Sequence, residues 1–487
     1  MWEAKLPLAD ETPFRVALIG DWSGRVNRAL LASSTELAAR RPLVIDRDNL
    51  DQIMLKLGVK LHLPMAGDGS LSLTIEFNQL DDFHPDRLFQ HLEIFENLRR
   101  SRSRLSHLKT HANEADDIIR QGGFTKDEAS TSSRNLLDQI LESKPGESSA
   151  SPGLSPEIDA LAREAVKPFV LPDIEAEREQ FVATLDSTIT KELRAIIHHP
   201  DFHSLEAAWR ALAFLVSNIE TGPGLKLHLL DISRPELEAD LLGGNELEST
   251  ALYKIFVEQA TGIPGIAPWA MICADFEFDS TSTDAKLLER ISMIASEAGA
   301  PFIAAASSRL AGCESLVAMP DPDNWSWSTD AETEASWKTL KQLPGARFLG
   351  LALPGFLLRL PYGAETEPAE EIDFEEMPKD DNRHENYLWA NPAFAVVYLL
   401  AKAFCESGWN LRPGDFQEID GLPLHVIQQD GETQIKSCAE TVMTVRAAEK
   451  IIERGLMPLI WMKDTDVIRL GLFHSIAGTR LAGRWDQ

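Results

Sequence analysis

The sequence predicts an α/β fold, in which mixed sheets are flanked by helices and the body has two parts. Short apolar runs alternate with amphipathic stretches of helix length, and a polar segment at 122–156 divides the chain. Hydrophobic residues make up 44% of the 487 positions, enough for a sizeable core. We therefore expect a small α/β unit at 1–121, a flexible linker at 122–156 and a larger α/β unit at 157–487.

The first unit is predicted to contain strands, a hairpin and a closing helix. Apolar, β-branched runs at 14–20 and 42–46 are typical of strands. The segments KLHLPM and SLTIEF flank a turn at 67–69 and predict a hairpin. From Pro85 onward apolar residues recur near helical spacing, which predicts one long helix. These residues are Leu88, Phe89, Leu92, Phe95, Leu98, Leu105 and Leu108.

The second unit alternates predicted strands with predicted helices, which favours a largely parallel sheet covered by helices. The strands are predicted at 226–233, 270–278, 301–307 and 347–354, and the helices near 234–242, 249–259, 284–298 and 331–341. A further helix is predicted to start at Pro200, with one apolar face formed by Phe202, Leu205, Trp209, Leu212 and Val216. Another helix is predicted at about 391–407, and a hairpin is predicted to turn at 430–431.

The linker at 122–156 is rich in Gly, Ser, Pro and charge and is too polar to form a core. Within it, RNLLDQILES places four aliphatic residues on one helical stripe, with Ser133 available as N-cap. These residues are Leu136, Leu137, Ile140 and Leu141. The pattern leaves two alternatives open: the stripe packs on its own chain, or it binds a groove on a partner.

Charge and composition exclude several classes of partner. A formal net charge of −29 repels phosphate backbones, so we expect no nucleic acid, and the basic run at 98–105 is interpreted as a solvated helix face. The sequence shows neither a signal peptide nor an apolar run of about 18 residues, which predicts a cytoplasmic protein without membrane insertion. The four cysteines are far apart and are predicted to be buried free thiols.

The motifs that could carry chemistry are incomplete. The turn at 20–25 has no phosphate-loop ending, and the histidines at 198, 199 and 203 lack the H-E-x-x-H pattern and are interrupted by Pro200. The DDFHPD segment (81–86) is explained by helix capping, and the acidic run at 365–381 is interpreted as a solvated surface. We therefore predict no catalytic, cofactor or metal site. An α/β enzyme that uses the histidine cluster is the alternative from a different class.

Three stretches of the first unit resemble the small sheath subunit of type VI secretion systems, the TssB (VipA-like) family. They are VALIGDWSGR (16–25), RRPLVIDRDN (40–49) and LDDFHPDRL (80–88). Four stretches of the second unit resemble the large subunit, the TssC (VipB-like) family. They are IIHHPDFHSLEAAWRAL (196–212), APFIAAAS (300–307), ARFLGLALPGFLLRLPYG (346–363) and HENYLWANPAFA (384–395).

The resemblance implies a structural protein and not an enzyme: a fused sheath protomer that surrounds an inner tube and drives its ejection by contraction. It also implies contacts with other sheath subunits, the inner tube and baseplate proteins. The segment SRNLLDQILES (133–143) resembles the part of the large subunit that a ClpV-type AAA+ unfoldase recognises. This similarity favours partner binding through Leu136, Leu137, Ile140 and Leu141.

One departure from the family pattern changes the expected assembly. The large subunits continue past the stretch that matches 455–473, into a C-terminal region that interlocks neighbours by strand exchange, and we expect this region to be missing here. The alternative within the family is therefore an accessory that docks on the sheath or baseplate and caps or regulates polymerisation.

Overall fold

The structure is a computed structural model that describes residues 12–64, 72–103, 174–244, 246–261, 267–326, 330–378, 384–429 and 432–486. We call 12–103 the N-terminal region and 174–486 the C-terminal region. The predicted linker and the turns at 67–69 and 430–431 lie outside the described residues.

The strands follow the apolar runs of the sequence closely. In chain order they are β1 (Phe14–Gly20), β2 (Leu43–Ile45), β3 (Val59–Pro64), β4 (Ser72–Phe77), β5 (Leu225–Asp231), β6 (Trp269–Phe278), β7 (Phe302–Ala306), β8 (Leu349–Leu353), β9 (Phe356–Leu357), β10 (Trp389–Ala390), β11 (Glu418–Ile419), β12 (Val426–Gln429), β13 (Glu432–Ile435), β14 (Met457–Trp461) and β15 (Ile468–Leu470).

Nine of the described strands form one sheet in the order β11-β15-β14-β8-β7-β6-β1-β5-β2. The six strands from β14 to β5 run parallel, whereas β2, β15 and β11 pair antiparallel at the two edges. The predicted largely parallel sheet is therefore confirmed. The β3–β4 and β12–β13 hairpins are also confirmed as antiparallel pairs.

The helices cover much of the remaining described chain. They are α1 (Ser34–Ala38), α2 (Leu50–Leu57), α3 (Pro85–His91), α4 (Ile174–Ile197), α5 (Pro200–Asn218), α6 (Arg234–Leu242), α7 (Ser282–Ala298), α8 (Ala331–Gln342), α9 (Ala393–Ser407) and α10 (Val445–Glu453). A helical run at 251–261 includes a π-helical stretch, Lys254–Glu258, and a single turn lies at Ser308–Ala311. Among the helices that the structure describes, none is long and apolar enough to cross a membrane.

The first strand of the chain lies inside the sheet of the C-terminal region. β1 pairs with β5 over seven consecutive residues, from Phe14 opposite Leu225 to Gly20 opposite Asp231, and with β6 on its other edge. Strands in the middle of a parallel sheet are covered on both faces, which explains the nearly continuous apolar sequence of β1. The two regions therefore share one sheet.

Helices cover both faces of this sheet. One face is packed by α5 and α9 together with the β3–β4 hairpin, and the other by α6, α7 and α8. The apolar stripe predicted for α5 is buried, including Phe202, Trp209 and Val216. This layering is the predicted α/β architecture.

The prediction of one long helix after Pro85 is wrong, because the helix ends at His91 and the chain turns at Leu92. This residue is extended (φ −76°, ψ 130°) and separates α3 from a 3₁₀ turn, Glu93–Phe95, and a helical stretch at 96–103. The break lets the rings of Phe89 and Phe95, 5.7 Å apart, enter the core together. Burial of two aromatic rings outweighs the continuity of a surface helix.

Candidate functional site at the junction of the two regions

The turn after β1 inserts Trp22 into the C-terminal region. The indole is fully buried, and its Nε1 donates to the carbonyl oxygen of Leu230 at 3.0 Å. The carbonyl oxygen of Trp22 accepts from Nε1 of Trp209 at 2.9 Å, and the two rings meet edge to face. Phe394 contacts Trp22 in the same geometry from α9. The turn at 20–25 therefore serves to anchor one region in the other.

Hydrogen bonds and a glycine fix the shape of this turn. The carboxylate of Asp21 accepts from the backbone N–H groups of Arg25 and Val26 at 2.6 and 2.8 Å. The hydroxyl of Ser23 donates to Oδ2 of Asp231, at the end of β5, at 2.8 Å. Gly24 has φ +74°, and a Cβ atom there would collide with the backbone of β3. The Gly-rich pattern is thus explained by backbone geometry.

A second contact between the regions is centred on the buried carboxylate of Glu236. It accepts from Arg25 at 2.9 Å, from Arg40 at 2.7 Å and from the backbone N–H of Ala32 at 2.9 Å. Burial alone raises the pKa of Glu236, but hydrogen bonds from Arg40 and from backbone amides outweigh burial and lower the pKa to about 2. Glu236 is therefore ionised at neutral pH and holds the two arginines of the N-terminal region.

A larger network, which lies within the C-terminal region, surrounds Arg359, whose side chain is 4% exposed. Its guanidinium donates to Glu206 at 2.7 and 3.0 Å and to Glu376 at 2.7 and 3.3 Å. Arg210 also donates to Glu206, at 2.7 Å. Burial raises the pKa of Glu206, but the charges of Arg359 and Arg210 outweigh it and lower the pKa to about 2. The pKa of Glu376 is also lowered, because Arg359 outweighs the effect of burial.

Glu376 belongs to a segment at 363–378 that we call the acidic strap. Its sequence carries seven carboxylates and no lysine or arginine. The prediction of a wholly solvated surface is wrong for three of its residues, since Ile372, Phe374 and Glu376 are buried. Alternate side chains point into the core, whereas most of the acidic side chains stay exposed.

The strap also binds the N-terminal region. The carboxylate of Asp86, in the first turn of α3, accepts from the backbone N–H groups of Glu370 and Glu371 at 2.8 and 3.0 Å. Arg102 donates to the carbonyl oxygen of Glu371 at 2.7 Å. Capping is confirmed for the DDFHPD segment, because His84 accepts from the N–H of Asp86 and Asp82 accepts from Gln79.

The three histidines of the cluster, His198, His199 and His203, have different surroundings and do not act as one group. His199 is the N-cap of α5 and accepts from the N–H of Asp201 at 3.3 Å, and His198 lies 3.3 Å from the carboxylate of Glu376. Burial lowers the pKa of His203. Across the described ranges no three His, Cys, Asp or Glu side chains are placed to hold a metal ion. Capping therefore explains His199, and the contact with Glu376 explains His198.

One cleft was not foreseen from the sequence. It has a volume of about 520 Å³, lies beside β6, β7 and β8, and is lined by His203, Asp275, Glu277, Asn391 and Glu440 among others. Burial and, to a smaller extent, the charge of Asp21 raise the pKa of Asp275 to about 7. The lining residues come from distant segments, so no local pattern could have found this cleft.

The proposed partner-binding residues Leu136, Leu137, Ile140 and Leu141 lie outside the described residues, so this site stays a prediction. The cysteines are free thiols, and Cys273, Cys313 and Cys438 are buried as predicted. Cys405, on α9, is exposed, so the prediction is wrong for this residue.

Comparison with known proteins follows the same division of the chain. Residues 179–477, more than half of the chain, match the family described as EvpB/VC_A0108, tail sheath N-terminal domain. Residues 8–121 match the family described as Type VI secretion system, VipA, VC_A0107 or Hcp2.

Two curated relatives come from Pseudomonas aeruginosa. The type VI secretion system sheath protein TssC1 is 33% identical over 356 residues, which cover 72% of this chain and 71% of the relative. The sheath protein TssB1 is 30% identical over 105 residues, which cover 21% of this chain and 59% of the relative. The chain therefore belongs to the type VI secretion sheath family, as a structural sheath component that joins TssB-like and TssC-like regions in one polypeptide and interacts with other sheath subunits.

Proposed function

We propose that this single chain does the work of a small–large subunit pair in a contractile sheath and has no enzymatic activity. The observation that carries the proposal is the position of β1, between β5 and β6 of the C-terminal region. A strand in the middle of a sheet cannot leave without breaking hydrogen bonds on both of its edges. The pair is therefore held as one body. The domain bounds that we propose are 1–121 for the small-subunit-like unit, 122–156 for the linker and 157–487 for the large-subunit-like unit.

The mechanism that we propose is a rigid-body one. Trp22 and Glu236 join the two regions and the Arg359 network holds the C-terminal region together, so contraction changes the contacts between copies and not those within a copy. The energy is stored in the packing of the assembled sheath, which drives an inner tube outward. Inner-tube and baseplate proteins are the partners in this scheme, and the cytoplasm is the compartment.

Co-assembly with a standard sheath tests this function. The purified chain, labelled at Cys405, would be mixed with a small–large subunit pair that forms tubes, and the tubes would be pelleted and imaged by negative stain. We expect the label in the pellet and along the tube walls. A label that stays in the supernatant while the pair forms normal tubes would contradict the proposal, and a short-tube phenotype would favour a cap.

We also propose that Leu136, Leu137, Ile140 and Leu141 form the recognition stripe for a ClpV-type AAA+ unfoldase. Burying an aliphatic side chain contributes about 1.5–3 kcal/mol in gross terms, from which the ordering of the segment must be subtracted, so we expect micromolar affinity. A peptide covering 131–145 would be titrated with the unfoldase N-terminal domain by fluorescence anisotropy. A Leu137→Asp, Ile140→Asp peptide is the matched control, and equal binding of the two peptides would remove this proposal.

A further inference from the structure

The loop at 25–31, which follows the Trp22 turn, exposes three large aliphatic side chains. Val26 is 50% exposed, Leu30 is 42% exposed and Leu31 is 62% exposed. Single exposed aliphatic residues are ordinary on protein surfaces, but three within six positions concentrate apolar surface in one loop, which we call the apolar patch. Such a patch is typical of a surface that another molecule covers.

The loop is held rigidly in this exposed position. Asp21 binds the N–H groups at its start. The side chain of Asn27 exchanges two hydrogen bonds with the backbone of His62 on β3, at 2.6 and 3.0 Å. Ala29 has φ +53°, a conformation that non-glycine residues adopt only where the surroundings enforce it. A preorganised apolar loop loses little conformational entropy when it binds.

The loop is also basic, in a chain whose formal net charge is −29. Arg25 and Arg28 lie in it, and Arg40 is brought beside it because it shares the carboxylate of Glu236 with Arg25. Arg41 follows and is exposed. Two of these arginines share the one carboxylate of Glu236, while Arg28 and Arg41 add further positive charge beside the loop, and the patch favours an acidic partner.

The same chain offers an acidic partner surface. In the acidic strap, Glu365, Glu367, Glu370 and Asp373 are exposed. The strap is anchored by Asp86 on α3, whereas the loop is anchored on β3, so the two surfaces belong to different elements of one rigid body. Two complementary surfaces at different places on one chain produce head-to-tail contacts, and such contacts build helical assemblies.

We propose that the 25–31 loop of one copy docks on the acidic strap of a second copy. The contact rests on the proposed sheath function and would be repeated along the assembly. Arginines next to the loop face the strap carboxylates, while Val26, Leu30 and Leu31 supply the apolar centre.

Site-specific cross-linking tests this contact. Chains carrying Leu31→Cys or Asp373→Cys would be prepared with Cys405→Ser, because the other three cysteines are buried. A short bismaleimide added to a mixture of the two chains is expected to give a dimer band. The matched control replaces Leu31→Cys with Leu55→Cys, at a position that is 59% exposed on α2, and is expected to give none.

A second measurement uses affinity. Leu31→Asp is expected to weaken self-association in sedimentation velocity by about tenfold, whereas Leu55→Asp changes it less than about twofold. Chains that remain monomeric, or a 31–373 mixture that cross-links no more than the control, overturn the docking inference. If the docking inference fails but the native chain still enters the tubes of a standard sheath, the proposed function stands without this contact. If the native chain does not enter the tubes, the proposed function itself is refuted.

Discussion

Replacing Arg359 by methionine is the sharpest test of the buried ion-pair network inside the C-terminal region. The guanidinium is the shared partner of Glu206 and Glu376, and both carboxylates are fully buried. Methionine has a similar volume but a shorter side chain and no charge, so the two carboxylates lose their common counter-charge. Arg210 still contacts Glu206, and His198 still lies beside Glu376. The variant therefore separates the effect of charge from that of volume.

Removing one partner of a buried ion pair typically costs about 3–5 kcal/mol, and we expect a loss of this size in the free energy of unfolding at pH 7. In the native chain the folded pKa of Glu206 is about 2. The stabilisation is therefore fully present above the ordinary glutamate pKa and is lost as pH falls toward about 2. In the variant, burial without Arg359 raises both carboxyl pKa values, so protonation near pH 4.5 relieves the penalty and the difference from the native chain shrinks.

Urea denaturation at pH 7 and pH 4.5 measures both quantities, with tryptophan fluorescence as the probe. Arg359→Lys is the matched control, because it keeps the charge but loses the two-pronged geometry, and it should destabilise less at pH 7. The reasoning is refuted if Arg359→Met stays within about 0.5 kcal/mol of the native chain, or if the difference is the same at both pH values.

Three further variants address the junction between the two regions. Trp22→Ala removes a fully buried indole and should lower the free energy of unfolding by about 3–5 kcal/mol in urea, while Leu55→Ala should have little effect; equal effects would contradict the anchoring role. Burial and Arg15 lower the pKa of His228 to about 4, so native stability should fall as pH drops from about 6.5 to about 4. His228→Gln should flatten this dependence, and an unchanged slope would refute the assignment. Asp86→Asn should speed amide hydrogen exchange of Glu370 and Glu371, whereas protection equal to that of the native chain would show that the strap holds without Asp86.

Local patterns in the sequence predict most of the strands and helices. β1 was expected at 14–20 and is found there, because a run of seven largely apolar residues ending in glycine suits a strand covered on both faces. The helix at 234–242 is also found at the expected positions, where Ser233 and Glu236 form a capping box. These signals lie within a few residues and need no tertiary information.

The sequence does not predict which distant elements meet. β1 and β5 are separated by about 200 residues, and nothing in either strand specifies the other as its neighbour. The strap illustrates a related limit, because its acidic composition suggested a solvated segment. The alternation of Ile372, Phe374 and Glu376 with exposed residues was the signal that could have revealed its buried face. Arg359, a lone charge among apolar residues, was another such signal.

The central claim is that the two regions form one body through a shared sheet. A protease site inserted within 122–156 would be cleaved to completion, and the products would be run on gel filtration under native conditions. We expect both fragments to elute together at the position of the uncut chain, because β1 is hydrogen-bonded on both edges by strands of the C-terminal region. Fragments that elute apart, each folded, would contradict the account.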